Sequence, residues 1–262
     1  MKRNLNELTK KYTDMVGEEM EVSSNQLNDF SMENISDVDD VSVYFKNIEN
    51  EIVKKISEAD VIVGCVAWLT SEPILEELCK KDGASIIVQK EDFLRPDSGQ
   101  VQANKTLLQR LYNSVNEVIF NYDFYSEGGC ALGVQQKGRL MYSERDASRH
   151  YFGFRCIGQM KSEDEYTLPR MHHKFLVFCR RIDETKSAES SNLKPYAVWT
   201  GSYNMTANAT HSLENGMYIK SERLSQQYFQ EWKELIMVSE PLDWESEYCA
   251  PDLEFCVPTI MS

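Results

Sequence analysis

DVIVGCVAWL, residues 60–69, is almost entirely apolar, which is typical of a β-strand buried on both faces. Directly after it, Ser71 and Pro73 form a helix start signal, a capping hydroxyl followed by a proline in the first turn. The helix is predicted to continue to Lys81, and residues 84–88 are a second apolar run. A strand, a helix and a strand joined by short turns predict parallel strands in a layered α/β sandwich.

The surrounding sequence predicts further helices and strands on both sides of this unit. Apolar residues recur at helical spacing over 41–58 and 104–118, so each range is predicted to be an amphipathic helix. Residues 151–158 predict another strand, and the glycine-rich segment 119–150 predicts an inserted β-hairpin or elaborate loop. A last helix is predicted over 221–238.

These elements predict one globular domain over residues 41–238, with an appendage at each end. Residues 1–40 are polar and acidic, which favours a mobile or loosely docked N-terminal arm, or alternatively an arm that binds a partner or is swapped between the subunits of a dimer. Residues 239–262 form a C-terminal tail to which the sequence assigns no role. The fold class is therefore α/β, with a mixed, mostly parallel sheet flanked by helices.

Charge and cysteine content narrow the class of protein. The net charge of −14 over 262 residues argues against coating nucleic acid through the overall field, because such binding neutralises phosphates, although a local basic site remains compatible. The sequence has neither an apolar run of about 18 residues nor an N-terminal signal peptide, so a cytoplasmic protein without membrane contact is expected. The seven scattered cysteines are typical of free thiols, and neither a metal nor a cofactor is expected.

RMHHKFLVF, residues 170–178, joins a polar start to an apolar continuation. The continuation predicts a central strand, which is a rigid mounting for reactive groups. Side chains alternate between the two faces of a strand, so His172 and Lys174 are predicted to share one face while His173 points to the other. An imidazole and an ammonium are thus expected side by side.

A second polar segment follows the next predicted strand, residues 196–200. It is the turn Gly201-Ser202-Tyr203-Asn204, which offers backbone N–H groups, a hydroxyl and an amide that can hold phosphate oxygens without supplying charge. Ten residues after Asn204, Glu214 precedes the last predicted strand at 217–219. This order is expected to place one carboxylate beside the site.

Three short motifs carry a resemblance to a known family. His172-x-Lys174, Gly201-Ser202-x-Asn204 and Glu214-Asn215 resemble the core of the phospholipase D superfamily, in the form of a nuclease-like member with one His-x-Lys motif. The resemblance covers about residues 41–90 and 150–236. Many members of that family carry an aspartate five residues after the motif lysine, where this chain has Cys179. This departure makes the lipid-hydrolysing branch a less favoured match.

The resemblance implies a two-step phosphodiester displacement that needs no metal. His172 would be the nucleophile and form a covalent phosphohistidine, while Lys174 and Asn204 would stabilise charge on the phosphoryl oxygens. Ser202 would add a hydrogen bond at the turn, and Glu214 would orient a histidine ring.

The resemblance also implies a homodimer. One histidine cannot serve at once as nucleophile and as the acid that protonates the leaving oxygen, and the sequence has no second His-x-Lys motif. A twofold dimer would supply the second histidine by facing His172 of both subunits across one groove. Catalysis within one subunit would instead need His173, which strand alternation turns away, or His211, which is predicted to lie in a surface loop.

Substrate binding is assigned to Arg170, Gly201, Arg180 and Arg181. With Lys174, the three arginines form a local basic cluster that could attract a phosphate backbone, although strand alternation would equally scatter their charges. The expected function is an endonuclease that cleaves DNA or RNA. A phospholipase or phosphatidyl transferase remains an alternative, as does a nucleic-acid-binding subunit whose partner protein engages the substrate.

Overall fold

The computed structural model describes residues 36–38, 40–90, 102–120, 150–158, 171–182, 188, 192–242 and 249. Within these ranges the strands are β1 (Ser36–Val38), β2 (Val41–Tyr44), β3 (Val61–Val66), β4 (Gly83–Gln89), β5 (Val118–Phe120), β6 (His150–Phe152), β7 (Phe154–Ile157), β8 (Lys174–Arg181), β9 (Leu193–Gly201), β10 (Gly216–Lys220) and β11 (Glu240–Pro241). The helices are α1 (Ile48–Ser57), α2 (Glu72–Leu78), α3 (Gln102–Tyr112) and α4 (Glu222–Met237), and a 3₁₀ turn covers Ala209–His211.

Nine of these strands form one mixed sheet, in the order β1-β2-β10-β9-β8-β3-β4-β7-β11, and β5 pairs with β6 separately. β4 is parallel to β3, as predicted, and also to β7. The other neighbouring pairs in the large sheet are antiparallel, so the prediction of a mostly parallel sheet is wrong. In the part of the chain that the structure describes, no α-helix separates β8, β9 and β10, and each strand turns back beside the previous one.

Helices pack against both faces of the sheet. Alternate residues of β3 divide between two buried clusters, because Ile62 and Val66 pack with residues of α1, α2 and α3, whereas Val61, Val63 and Cys65 pack with residues of α4. β3 is therefore buried on both faces, as its apolar sequence predicts. Full burial of one such aliphatic side chain contributes about 1.5–3 kcal/mol, so this strand anchors the core on both sides.

Residues 41–58 do not form one helix. Val41–Tyr44 is the strand β2, which lies between β1 and β10, and α1 begins only at Ile48. Two β-branched valines at alternate positions suit a strand, and β10 supplies the backbone partners that decide between the two structures. Asn47, with a φ of 56°, makes the left-handed turn that separates β2 from α1. Because β1 is also part of the sheet, the sheet extends into the segment predicted as an arm.

The boundaries of the other predicted helices and strands differ from the observed ones by fewer residues. α3 ends at Tyr112, six residues before the end of its predicted range at residue 118, and the strand Val118–Phe120, which pairs with β6, joins the last residue of that range to the first two of the predicted insertion. The strand predicted at 151–158 is divided at Gly153, since β6 pairs with β5 while β7 pairs with β4. The last predicted helix is confirmed as α4. Most of the predicted insertion, residues 121–149, lies outside the described residues.

The cysteines are free thiols wherever the structure describes them, as predicted, namely Cys65, Cys79, Cys156, Cys179 and Cys249. Cys130 and Cys256 lie outside the described residues. Burial raises the pKa of the Cys65 and Cys179 thiols, which disfavours the reactive thiolate form. Among the helices in the described ranges, none combines the length and apolar character needed to cross a membrane.

Candidate active site

The strand order brings the three sequence motifs to one edge of the sheet. The carboxyl end of β3 lies beside the start of β8, where Val66 is paired with Lys174. β9 runs back to the same edge beside β8, and β10 begins there, with Gly201 opposite Gly216. Segments that are far apart in sequence are therefore neighbours at this edge.

His172 and Lys174 lie side by side. Lys174 Nζ is 3.3 Å from both Nδ1 and Nε2 of the His172 ring, and it donates a hydrogen bond to the His172 carbonyl oxygen at 3.1 Å. An ammonium equidistant from both nitrogens and in the ring plane would collide with ring carbon, so Nζ lies over the face of the ring. Lys174 Nζ therefore does not lie along the lone-pair direction of either ring nitrogen, and the exposed imidazole remains accessible to a substrate.

Lys174 is a buried cation beside this exposed imidazole. The residue is only 9% exposed. Burial lowers the pKa of its ammonium, and the charge of Glu214 partly opposes that effect. A positive charge with so little water around it attracts an anion more strongly than a surface lysine does. The pair therefore combines a candidate nucleophile with a candidate anion-binding group.

His173 faces away from His172. Its Nε2 lies 3.3 Å from Glu231 Oε1 on α4, and its carbonyl oxygen accepts a hydrogen bond from Ala67 N at 2.8 Å. The second contact extends the pairing of β3 with β8 beyond Lys174. The two adjacent histidines thus have different surroundings, as strand alternation predicts, and His173 is engaged with α4.

Gly201, Ser202 and Glu214 form the turn beside this pair. The Ser202 hydroxyl donates a hydrogen bond to Glu214 Oε2 and accepts one from Asn215 N at 3.0 Å, while Ser202 N donates to Asn215 O at 3.1 Å. A Cβ on Gly201 would lie 2.2 Å from Asn215 O, so this close approach of two backbones requires glycine. The predicted role of Glu214 in orienting a histidine ring stays a prediction.

A cleft of about 920 Å³ borders the same edge. Asn204 and Glu214 line it, together with Trp68 and His211. Asn204 Oδ1 is buried and has no hydrogen-bond partner in the described part of the chain. A buried polar atom without a partner is uncommon and often marks a functional site.

Trp68 and Gln89 belong to this site although sequence analysis did not select them. The Trp68 ring centroid lies 5.6 Å from the His172 ring and 5.8 Å from Lys174 Nζ. Gln89 Oε1 accepts a hydrogen bond from Met171 N at 2.8 Å and so holds the chain just before His172. A sequence signal was available for each, because Gln89 is the polar residue that directly follows the apolar run 84–88, and Trp68 is an aromatic residue with a polar N–H near the end of the apolar run 60–69.

The structure does not bring Arg180 and Arg181 to the site. They lie at the opposite end of β8, about 20 Å from Lys174 at 3.3 Å per residue. Arg180 pairs with Asp60 at 3.3 Å, and Arg181 pairs with Asp82 at 2.9 Å. Their predicted part in binding substrate beside His172 is therefore wrong, since an extended strand spreads a cluster of charges along its length. Arg170 lies outside the described residues, and its role stays a prediction.

Comparison with solved structures finds partial similarity, and no protein-family model matches the chain. The phospholipase D family member Nuc from Salmonella typhimurium aligns with 74% of this chain and 91% of its own, at 15% identity and a TM-score of 0.40. NucT from Helicobacter pylori aligns with 77% of this chain and 98% of its own, at 11% identity and a TM-score of 0.42. Scores at this level do not establish a shared fold.

Similarity in sequence is stronger. The chain is 33% identical over 214 residues to the uncharacterized protein L381 of Acanthamoeba polyphaga mimivirus. The match covers 80% of this chain and 71% of that protein. With this identity over most of both lengths, the chain belongs to the same protein family as mimivirus L381.

Proposed function

We propose that the chain is a metal-independent phosphodiesterase of the phospholipase D type, acting as an endonuclease on DNA or RNA. The observation that carries the proposal is the position of Lys174 Nζ, 3.3 Å from both ring nitrogens of His172. A nucleophilic nitrogen and a cation at this separation can contact one phosphate group together. The hydroxyl of Ser202 and the carboxylate of Glu214 stand at the same edge of the sheet.

The reaction takes two steps. In the first, a ring nitrogen of His172 attacks the phosphorus, the P–O bond to the leaving group breaks, and the leaving oxygen takes a proton from an acid. Lys174 and Asn204 stabilise the negative charge on the phosphoryl oxygens of the covalent phosphohistidine as it forms. In the second step, water attacks the phosphorus, loses a proton to the conjugate base of the same acid, and releases His172.

The acid is assigned to His172 of a second copy of the chain. His172 cannot be nucleophile and acid in the same step, so the one shared site of a twofold homodimer uses His172 of one subunit as the nucleophile and His172 of the other as the acid. The contact between His173 and Glu231 at 3.3 Å supports this choice, because it holds the His173 ring on the face of the strand opposite His172. Ser202, Glu214 and Asn204 then border the shared groove.

The net charge of −14 favours one second candidate, a nucleic-acid-binding subunit of a larger complex. A field of this sign repels a phosphate backbone at long range and slows its association. A basic partner protein would supply the attraction that this chain lacks. Under that alternative, nucleic-acid cleavage by the isolated chain is slow and rises when the partner is added.

The test compares purified wild type, His172→Ala and the matched control His173→Ala. Each is incubated with EDTA and with single-stranded DNA, double-stranded DNA, RNA or phosphatidylcholine vesicles. Wild type and His173→Ala are expected to cleave nucleic acid, and His172→Ala is expected to be at least about a thousandfold slower. Cleavage that needs a divalent ion, or that survives the loss of His172, contradicts the mechanism. Hydrolysis of the vesicles alone assigns the site to lipids.

Sedimentation velocity under assay conditions tests the dimer. The active species is expected to sediment as a dimer, with specific activity falling on dilution as the dimer dissociates. A fully active monomer contradicts the shared groove while leaving the phosphodiesterase assignment in place.

A further inference from the structure

The cleft beside His172 does not suit a phosphate backbone along its length. Three carboxylates line it, those of Glu49, Glu72 and Glu214, and none of its described lining residues is a lysine or an arginine. Like charges repel, most strongly where water is partly excluded. The group that occupies the cleft is therefore not the charged backbone, even though a phosphate-binding cation lies next to it.

The remaining lining combines an aromatic ring, an aliphatic wall and short polar side chains. Trp68 forms the aromatic part, and Pro73, Leu107 and Leu108 contribute the aliphatic surface. The polar contribution comes from small hydroxyl and amide side chains and from the imidazole of His211, the small side chains being Thr70, Ser71, Asn204, Thr206, Asn208, Thr210 and Ser212. A nucleobase matches this mixture, because it presents flat apolar faces for stacking and a polar edge for hydrogen bonds.

Size and position agree with this occupant. The cleft volume of about 920 Å³ is large enough for a nucleoside. Trp68 both lines the cleft and contacts the reactive pair, at 5.6 Å from the His172 ring and 5.8 Å from Lys174 Nζ. A base on Trp68 and a phosphodiester at His172 are therefore separated by about the span of one sugar.

We propose that the cleft takes an unpaired nucleobase, stacked on Trp68, from a single-stranded nucleic acid whose adjacent phosphodiester lies at His172 and Lys174. The proposal rests on the phosphodiesterase function proposed above and adds a preference for single strands. A base within a duplex is already paired and stacked, so it enters the cleft only after the free-energy cost of leaving the duplex. Carboxylates at the cleft are acceptors for base amino groups, which a phosphate backbone lacks.

Binding tests the proposal without depending on catalysis. In the full chain carrying His172→Ala, fluorescence anisotropy is measured with a labelled single-stranded DNA, the same sequence as a duplex, and an oligomer of equal length with every base removed. The single strand is expected to bind at least about fivefold more tightly than the other two, since stacking on one aromatic side chain is worth about 1–3 kcal/mol.

Variants at Trp68 assign the effect to the cleft. Trp68→Leu is expected to weaken single-strand binding on the order of tenfold to a hundredfold and to weaken binding of the base-free oligomer far less, while Trp68→Phe retains most of the affinity. The matched control is Ile182→Ala, which removes a residue that is 68% exposed at the opposite edge of the sheet and is expected to change nothing. Thermal unfolding confirms that each variant is folded, and Trp68→Phe keeps the test informative if Trp68→Leu does not fold.

Any one of three binding results overturns the proposal. The first is equal binding of the three oligomers, and the second is equal weakening of all three by Trp68→Leu. The third is a Trp68→Leu variant that loses binding to phosphatidylcholine vesicles while keeping its affinity for single strands, because the occupant is then a lipid. The two proposals can fail separately. If the wild type binds single strands selectively but cleaves none of the substrates, the base site is supported and the phosphodiesterase function is contradicted. If the wild type cleaves single-stranded, duplex and base-free substrates equally, the phosphodiesterase function is supported and the base site is contradicted.

Discussion

Ser202 and Glu214, twelve residues apart in sequence, are joined by a hydrogen bond from the serine hydroxyl to the glutamate carboxylate. The same hydroxyl accepts a hydrogen bond from Asn215 N at 3.0 Å, so Ser202 fixes the carboxylate and the start of β10 together. From this position the charge of Glu214 raises the pKa of Lys174, against the larger lowering by burial. The turn after β9 therefore influences the charge of the cation beside His172.

Glu214→Gln is expected to shift the alkaline limb of the pH–rate profile to lower pH. The substitution keeps the shape of the side chain but removes the charge that raises the pKa of Lys174, so this lysine loses its proton at a lower pH than in wild type. Because the protonated lysine stabilises the phosphoryl oxygens, kcat/KM falls earlier as pH rises. The measurement is kcat/KM against pH from about pH 6 to pH 11, a range that brackets the titration of lysine.

The control for this prediction is Glu222→Gln. Glu222 pairs with Lys194 at 2.6 Å, at the edge of the sheet away from the site, so its removal is expected to leave the profile unchanged. An alkaline limb that stays in place in Glu214→Gln, or moves to higher pH, contradicts the coupling between Glu214 and Lys174.

Lys174→Met is expected to abolish activity and to stabilise the fold. Burial lowers the pKa of Lys174 in the folded state below its value in the unfolded state. The folded protein is therefore least stable at pH values below both pKa values, where the lysine is charged in both states, and it gains stability as pH rises from the folded-state pKa to the unfolded-state pKa. At neutral pH the buried ammonium therefore opposes folding, and methionine of similar length removes that penalty. Urea unfolding at pH 7 is the measurement. Lys80→Met is the control, at an exposed lysine whose surface ion pair with Glu77 contributes little, so little change is expected. A less stable Lys174→Met contradicts the penalty.

Gln89→Leu is expected to destabilise the fold and to slow the reaction. The buried Met171 N–H loses its acceptor, which costs about 1–3 kcal/mol in the free energy of unfolding. Loss of this contact also loosens the chain immediately before His172, so kcat falls as well. Urea unfolding and kcat are measured beside Gln226→Leu, an exposed glutamine on α4 for which neither quantity is expected to change. Wild-type stability in Gln89→Leu rules out this anchoring role.

Gly201→Ala is expected to force β9 and β10 apart. The new methyl group would meet Asn215 O at 2.2 Å and the Gly216 Cα at 2.9 Å, and these backbone atoms cannot rotate away. Overpacking of this kind costs about 1–3 kcal/mol in the free energy of unfolding, and the displaced turn also reduces activity. Gly153→Ala is the matched control, because its nearest atoms are side-chain atoms 3.3 Å away. Equal stability of the two variants contradicts the required close approach.

Local patterns predicted β3, α2 and β4 because their determinants lie within a few residues. The alternating burial of β3 is present in its own sequence, and Ser71 caps α2 by accepting a hydrogen bond from Ile74 N at 3.4 Å. β2 was predicted as helix because its partner, β10, lies far along the chain. Pairing with this distant strand outweighed a weak local preference for helix. No window of neighbouring residues contains the information about that pairing.

The candidate site likewise combines features that local sequence predicts with features that depend on distant strands. Strand alternation predicted that His172 and Lys174 would lie side by side, because residues two apart on a strand share a face. Trp68 and Gln89 were missed because their proximity to His172 depends on which strands end at the same edge of the sheet. That information is in the strand order, which local sequence does not specify.

The central claim is that His172 becomes covalently attached to the substrate phosphate, and mass spectrometry of the reacting protein tests it most directly. Wild type, His172→Ala and His173→Ala are mixed with an oligonucleotide in EDTA, quenched in alkali to preserve an N–P bond, digested and mapped. An adduct in which the phosphorus keeps its second ester bond to one part of the oligonucleotide is predicted on a ring nitrogen of His172 in wild type and His173→Ala, and no adduct is predicted in His172→Ala. Cleavage by His172→Ala at the wild-type rate, or an adduct on another residue of the wild type, would contradict the account.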